Sequence, residues 1–133
     1  MATKTAIVLG CSGQDGSLIS KSLLEKGHKV IGISRKKKPQ IKNLIKLGIN
    51  NDIEVKHNDI TNFESIYKLI EYYQPNAIFN LSAQSSVGKS FNNPIDTINS
   101  ITNASLNILE VCRKLNYSGR IFFAGSSEMF GNT

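Results

Sequence analysis

Three glycines, Gly10, Gly13 and Gly16, lie between an apolar segment and an amphipathic one, and this arrangement constrains the fold more than any other feature. Residues 5–10 predict a buried strand, and residues 14–26 predict a helix. Between a strand and a helix, such glycines permit a sharp turn, approach of the backbone to a pyrophosphate, and close packing of the helix on the strand. A purely structural turn is the alternative. The residues expected to bind a dinucleotide here are Gly10, Gly13, Gln14, Asp15 and Gly16.

Short β-rich runs alternate with segments of helical spacing along the rest of the chain. The strands are predicted at 5–10, 29–34, 53–57, 76–81 and 120–125. The helices are predicted at 14–26, 41–47, 61–73 and 94–115. This alternation predicts an α/β fold, a Rossmann-type doubly wound parallel sheet with strand order 3-2-1-4-5. We expect residues 1–133 to form one NAD(P)-binding domain.

Composition argues against several classes of protein. The chain has 133 residues, of which 40% are hydrophobic and 20% charged, as in a globular protein rather than a disordered one. No apolar run reaches the roughly 20 residues that a membrane-spanning helix needs, and the N-terminus has no signal-peptide pattern. Cys11 and Cys112 are too few and too far apart for a disulfide framework or a zinc site. We expect a cytoplasmic protein with no membrane partner and no metal.

Basic residues are concentrated between Lys26 and Lys46, a segment that contains no acid, and the formal net charge is +6. The second predicted strand ends at Ser34-Arg35-Lys36, where an NAD site has an acid that binds the ribose 2′-hydroxyl. A guanidinium can hold a 2′-phosphate in a fork, so NADP is favoured over NAD, with Arg35 as the main contact and Ser34 or Lys36 assisting. A solvated basic loop is the alternative, and no nucleic-acid partner is expected, because no nucleic-acid-binding motif is visible.

Asp59 and Ile60 follow the third predicted strand. An aspartate at this position can accept a hydrogen bond from an adenine amino group, and the amide of the next residue can reach the ring. A structural turn is the alternative, because residues 58–61 lead into a predicted helix. The spacing favours the binding of adenine by Asp59 and Ile60.

Three motifs together resemble the extended short-chain dehydrogenase/reductase superfamily. They are residues 10–17 (GCSGQDGS), residues 80–87 (NLSAQSSV) with Phe91, and residues 126–131 (SSEMFG). Within that superfamily the chain is most similar to the GDP-mannose 4,6-dehydratase family, whose pattern includes the Arg-Lys pair after strand two. The resemblance covers nearly the whole chain but only the N-terminal part of the family's members.

The resemblance implies a lyase that uses NADP and a GDP-sugar, and that removes water from GDP-mannose to give a 4-keto-6-deoxy product. Ser126 matches the family's catalytic serine or threonine, which hydrogen-bonds the sugar 4-oxygen. Glu128 matches the glutamate that removes the C5 proton and helps water to leave. A loop hydroxyl and a helix N-terminal carboxylate are the respective structural alternatives. The cofactor contacts implied after strand four are Leu81, Ala83 and Gln84.

The family's Tyr-x-x-x-Lys pair, which supplies the base for the sugar 4-hydroxyl, has no counterpart before Thr133. We therefore expect a partial domain, truncated before the helix with that pair, without a substrate domain and inactive as this chain alone. Two alternatives stay open: a stand-alone NADP-binding module or pseudoenzyme, and another nucleotide-sugar epimerase or dehydratase. The resemblance also allows a homo-oligomer formed through the helix around 97–115.

Overall fold

A parallel sheet of five strands forms the centre of the structure. The computed structural model describes residues 2–83 and 86–132, with the backbone alone at residues 87, 127 and 128. The strands are β1 (Thr5–Leu9), β2 (Lys29–Ser34), β3 (Glu54–His57), β4 (Ala77–Asn80) and β5 (Arg120–Phe123). They pair in parallel in the order β3-β2-β1-β4-β5. The predicted α/β class, the Rossmann-type doubly wound sheet and its strand order are confirmed.

Helices connect the strands and cover both faces of the sheet. They are α1 (Gln14–Glu25), α2 (Lys42–Lys46), α3 (Phe63–Tyr73), α4 (Val87–Asn92), α5 (Pro94–Ile98) and α6 (Ala104–Lys114). A π turn at Asn99–Asn103 joins α5 to α6, and a 3₁₀ turn at Ser127–Phe130 follows β5. Because the strands are parallel, every helical connection returns the chain to the same edge of the sheet.

The sheet separates two apolar clusters, since successive side chains of a strand point to opposite faces. On one face Ile7 of β1 belongs to a cluster with Ile66 of α3 and Ile108 of α6. On the other face Val8 of β1 belongs to a cluster with Leu44 of α2. All five side chains are at most 1% exposed. Burial on both faces explains why the central strand reads as a continuous apolar run rather than an alternating one.

The predicted helix at 61–73 begins two residues later in the structure. The side chain of Asn62 caps α3 by accepting a 2.9 Å hydrogen bond from the amide of Ser65. Thr61 lies in the turn before the cap, where its amide and hydroxyl both donate to the carboxylate of Asp59. The helix therefore starts after Asn62, because the side chain of Thr61 is already engaged.

The predicted helix at 94–115 is divided in the structure into α5, the π turn and α6, and α4 was not predicted. Two hydroxyls bond back to carbonyls of the preceding turn: Thr97 donates to Asn93 at 2.9 Å, and Ser100 donates to Thr97 at 3.0 Å. Such bonds compete with the regular backbone ladder of a helix. Their position at and before the π turn accounts for the interruption.

Aromatic side chains of β4 and β5 lie on a less covered part of the sheet. The rings of Phe79 and Phe122 are 6.0 Å apart with an interplanar angle of 43°. Phe122 remains 49% exposed. On the face of the sheet that carries Val8 and Phe79, the described helices therefore bury strands β1, β2 and β3 more completely than strands β4 and β5.

Candidate functional site

The carboxyl ends of the strands form the edge of the sheet at which ligands of open parallel sheets bind, where the strand order reverses. In this sheet that point lies between β1 and β4. A cavity of about 610 Å³ opens there. Its lining consists of Leu9, Gly10, Ser12, Gly13, Ile33, Ser34, Arg35, Lys36, Gln40, Lys42, Asn43, Ile60, Leu81, Ser82 and Ala83. We refer to it as the switch-point cavity.

Two glycines of the turn are required by the backbone geometry. Gly10 has φ +81°, and a Cβ there would lie 2.6 Å from the carbonyl oxygen of Leu81. A Cβ at Gly16 would overlap the carbonyl group of Gly10, which belongs to the backbone and cannot move aside independently. Gly10 therefore permits the loop after β4 to approach, and Gly16 permits α1 to pack against the end of β1.

Gly13 is different, because it has room for a small side chain. Its backbone is extended (φ −71°, ψ 173°), and the atom nearest to a Cβ there would be the carbonyl oxygen of Gly10 at 3.4 Å. Gly13 is the N-cap of α1, and no side chain caps the first turn. The first amides of α1 have no acceptor within the helix, so this end of the cavity wall suits an anion. Gln14 and Asp15 begin α1 and are exposed, outside the lining of the cavity.

The short helix α2 is attached to the glycine turn. The side-chain amide of Asn43 donates a 3.0 Å hydrogen bond to the carbonyl oxygen of Ser12. Leu44, the next residue, is fully buried. Sequence reasoning missed Lys42 and Asn43 as lining residues. Their position follows from the docking of α2, for which the sequence carries no local signal.

The end of β2 forms the opposite wall. Ser34 is 6% exposed, and its hydroxyl accepts a 3.2 Å hydrogen bond from the amide of Lys36. Arg35 and Lys36 are exposed and line the cavity. Arg35 also borders a smaller cavity of about 330 Å³, next to Asp96 and the end of α5. The predicted residues Ser34, Arg35 and Lys36 are thus brought together with the glycine turn.

Asp59 and Ile60 are placed differently from each other. Ile60 is 1% exposed and lines the switch-point cavity. Asp59 is exposed, lies outside the lining, and accepts hydrogen bonds from the amide and hydroxyl of Thr61 at 3.0 and 2.7 Å. One carboxylate oxygen of Asp59 therefore has a structural partner in the turn before α3. A role of Asp59 and Ile60 in adenine binding stays a prediction.

The loop after β4 completes the cavity. Leu81 is held by a 2.9 Å hydrogen bond from its amide to the carbonyl of Leu9. Ser82 is 9% exposed and donates from its hydroxyl to Asn80 at 2.7 Å. Ala83 is exposed at the rim. The predicted contact Gln84 lies outside the described residues.

The two residues predicted to act on a substrate follow β5. The amide of Ala124 donates to the carbonyl of Asn80 at 3.1 Å, which continues the pairing of β5 with β4 beyond Phe123. Ser126 follows two residues later and is exposed, and the backbone of Glu128 lies in the 3₁₀ turn. Both therefore follow the carboxyl end of a strand, on the same edge of the sheet as the glycine turn.

Burial raises the pKa of two groups, the Cys11 thiol and the Tyr117 hydroxyl. Burial raises the pKa of the Cys11 thiol to about 11, so this thiol stays protonated. Burial raises the pKa of Tyr117 to about 12, which is opposite to what a general base needs. Tyr117 also precedes β5 and lies at the amino-terminal edge of the sheet, away from the switch-point cavity.

A larger cavity of about 910 Å³ opens at that amino-terminal edge. Lys4, His28, Asn76 and Arg120, which precede or begin the strands, are part of its lining. We place the candidate site at the switch-point cavity, because the amides of α1 and the carboxyl ends of the strands converge there.

Within residues 2–83 and 86–132, no helix is long and apolar enough to cross a membrane. The same residues contain no group of three or more histidine, cysteine, aspartate or glutamate side chains that could hold a metal ion.

Sheet order, glycine turn and switch-point cavity define a Rossmann-fold domain. UDP-glucose 4-epimerase from Thermotoga maritima, solved with UDP-glucose, superposes with a TM-score of 0.77 at 25% identity, over 90% of this chain and 37% of that one. UDP-glucose 4-epimerase from Stenotrophomonas maltophila shares the fold with a TM-score of 0.84 at 19% identity, over 99% of this chain and 39% of that one.

Sequence comparison identifies the family within this class. Residues 7–133 match the sequence pattern of the GDP-mannose 4,6 dehydratase family. The chain is 34% identical to GDP-mannose 4,6 dehydratase 1 of Arabidopsis thaliana, over 98% of this chain and 39% of that protein. It is 33% identical to GDP-mannose 4,6-dehydratase of Vibrio cholerae, over 98% of this chain and 37% of that protein. The chain belongs to the GDP-mannose 4,6 dehydratase family and spans less than two fifths of these relatives, which confirms the resemblance.

Gly16→Ala should lower the free energy of unfolding by about 3 kcal/mol, because its Cβ would force α1 away from the end of β1. Chemical denaturation measures this change. Gly13→Ala is the matched control, with the same added methyl group and room for it, and should cost less than about 1 kcal/mol. Equal losses in the two variants would show that close packing at Gly16 is not the constraint.

Proposed function

We propose that this chain is the dinucleotide-binding portion of an NADP-dependent nucleotide-sugar 4,6-dehydratase that acts on GDP-mannose. The observation that carries the proposal is the composition of the switch-point cavity. The uncapped start of α1 lies on one side and Arg35 with Lys36 on the other, and no acid is among the described residues that line it. Membership in the GDP-mannose 4,6 dehydratase family supports the same assignment.

The described residues fit such a cofactor. Gly13 has no side chain where the cavity wall meets the start of α1, so the backbone can approach a pyrophosphate there. The amides of the first turn can donate to its oxygens. Ile60 and Leu81 supply apolar wall between the polar ends. The proposed contacts are Gly10, Gly13, Gln14, Asp15, Gly16, Arg35, Asp59, Ile60, Leu81, Ala83 and Gln84.

NADP is proposed over NAD because of the charge at the end of β2. An NAD site usually presents a carboxylate to the ribose 2′-hydroxyl, and such a carboxylate would repel a 2′-phosphate. Here Arg35 and Lys36 stand at that position, and the Ser34 hydroxyl is beside them. A guanidinium can hold phosphate through two parallel hydrogen bonds, so Arg35 is the proposed main contact.

For the chemistry of the whole protein, Ser126 is proposed to donate a hydrogen bond to the sugar 4-oxygen. Glu128 is proposed to remove the C5 proton and to deliver a proton to the leaving 6-hydroxyl, which releases water. When bound, the nicotinamide supplies a hydride acceptor and donor. In a site closed to water, one carboxyl group can act as base and then as acid, and this is the role proposed for Glu128.

A binding module without catalysis is the second candidate. The observation that favours it is the lining of the switch-point cavity, where the described residues offer cations and backbone amides for phosphates but no carboxylate or tyrosine that could act as a base. Turnover of GDP-mannose by the protein at its natural length distinguishes the two functions.

Gly13→Ala should weaken NADP and NAD in parallel, by about tenfold or more, because the added methyl group would keep a pyrophosphate from the first amides of α1. Calorimetric titration of both dinucleotides measures the change. Circular dichroism serves as the control for folding. Unchanged affinity for both would mean that the glycine turn is structural only.

Arg35→Ala should weaken NADP binding about 10- to 100-fold, since a charge-assisted hydrogen bond contributes about 1.5–3 kcal/mol. NAD lacks the 2′-phosphate, so its affinity should stay within about twofold. The matched control is Lys38→Ala, which removes one positive charge from a residue outside the cavity lining. An equal loss for NAD and NADP in Arg35→Ala would contradict the proposed contact with the 2′-phosphate.

Glu128→Gln should lower the release of water from GDP-mannose by about 10²- to 10⁴-fold in the protein at its natural length, because the amide cannot exchange the proton. Mass spectrometry of the product measures it, and an unchanged affinity for NADP shows that the variant is folded. Retained turnover would remove Glu128 from the mechanism. Binding of NADP by the wild type without any turnover would favour the binding module.

A further inference from the structure

We propose that Lys42, at the start of α2, is a second cation for the 2′-phosphate of NADP and a determinant of the choice between NADP and NAD. The inference rests on the proposed binding of a dinucleotide in the switch-point cavity. It adds a residue seven positions beyond Arg35, on a different element of the fold.

The path of the chain separates Lys42 from the other lysines of the basic segment. Arg35 and Lys36 line the cavity, residues 37–39 do not, and Lys42 lines it again. Lys37 and Lys38 are exposed and lie outside the lining of the cavity. The loop therefore returns one cation to the cavity wall that already carries Arg35.

The start of α2 is held in place by contacts that do not involve Lys42 itself. The Asn43 side chain bonds to the carbonyl of Ser12 in the glycine turn, and Leu44 is anchored in the apolar core. The backbone at residue 42 is thus fixed relative to the turn proposed to bind the pyrophosphate. A lysine at that point has a flexible stem with which its ammonium group can reach a phosphate on the cavity wall.

No acid is among the described residues that line the switch-point cavity, although Asp96 borders the 330 Å³ cavity that Arg35 also lines. The sequence contains no acid between Glu25 and Asp52. The ion pairs within the described residues include neither Arg35 nor Lys42. A 2′-phosphate carries close to two negative charges at neutral pH. One guanidinium neutralises only part of that charge, and a second cation can neutralise the rest. Arg35 would bind the phosphate through two parallel hydrogen bonds, and Lys42 would add a second positive charge.

The test is a titration of the Lys42→Gln variant with NADP and with NAD, in the protein at its natural length. Glutamine keeps most of the side-chain length and removes the charge. We expect NADP affinity to fall about tenfold, as for loss of one charge-assisted contact, while NAD affinity stays within about twofold. Lys42→Arg should restore the preference for NADP, because it restores the charge.

Lys46→Gln is the matched control, since it removes the same charge from the last turn of the same helix, outside the cavity lining. Equal losses of NADP affinity in Lys42→Gln and Lys46→Gln would overturn the inference, because they would reflect net charge alone. An unchanged ratio of the two affinities in Lys42→Gln would also overturn it and leave the proposed function standing. Failure of the wild type to bind either dinucleotide would overturn both.

Discussion

The close contact between the start of α1 and the end of β1 is the constraint on which the rest of the site depends. At Gly16 the helix backbone lies so near the carbonyl group of Gly10 that no side chain fits between them. This approach directs the first amides of α1 toward the carboxyl edge of the central strand, where they have no acceptor in the helix. A bulkier residue at Gly16 would move the helix away, and those amides would no longer converge on one side of the cavity.

Three neighbouring segments take their position from the same turn. The amide of Gly10 donates to Ile33 at the end of β2, at 2.9 Å. The loop after β4 passes so close that Gly10 cannot carry a Cβ. On the third side, Asn43 of α2 donates to the carbonyl of Ser12. The turn therefore contacts all three segments that line the cavity with it. A displacement of the turn would shift these segments together.

The fold could be predicted from the sequence because its signals are local. An apolar run followed by a glycine turn and an amphipathic segment defines the first strand and helix, and the alternation that follows leaves few topologies. The lining of the candidate cavity could be predicted where it follows the glycine turn or the end of a predicted strand, as at Gly13, Arg35 and Ile60. The lining role of Lys42 depends on how α2 docks, which is a tertiary contact. Asp59 shows a different limit, because one spacing fits both a ligand contact and the turn in which it bonds to Thr61.

The proposed function separates recognition of a cofactor from chemistry on a substrate. The cations at the end of β2 and on α2 lie at the switch-point cavity, whereas Tyr117 lies at the opposite edge. Binding energy from the pyrophosphate and the 2′-phosphate can position a nicotinamide without any group that acts on the sugar. Substitutions at Arg35 and Lys42 should therefore act on affinity, whereas those at Ser126 and Glu128 should act on turnover. This separation follows from the order of the elements, because the groups proposed to bind phosphates belong to the first half of the sheet and those proposed to act on the substrate come after β5.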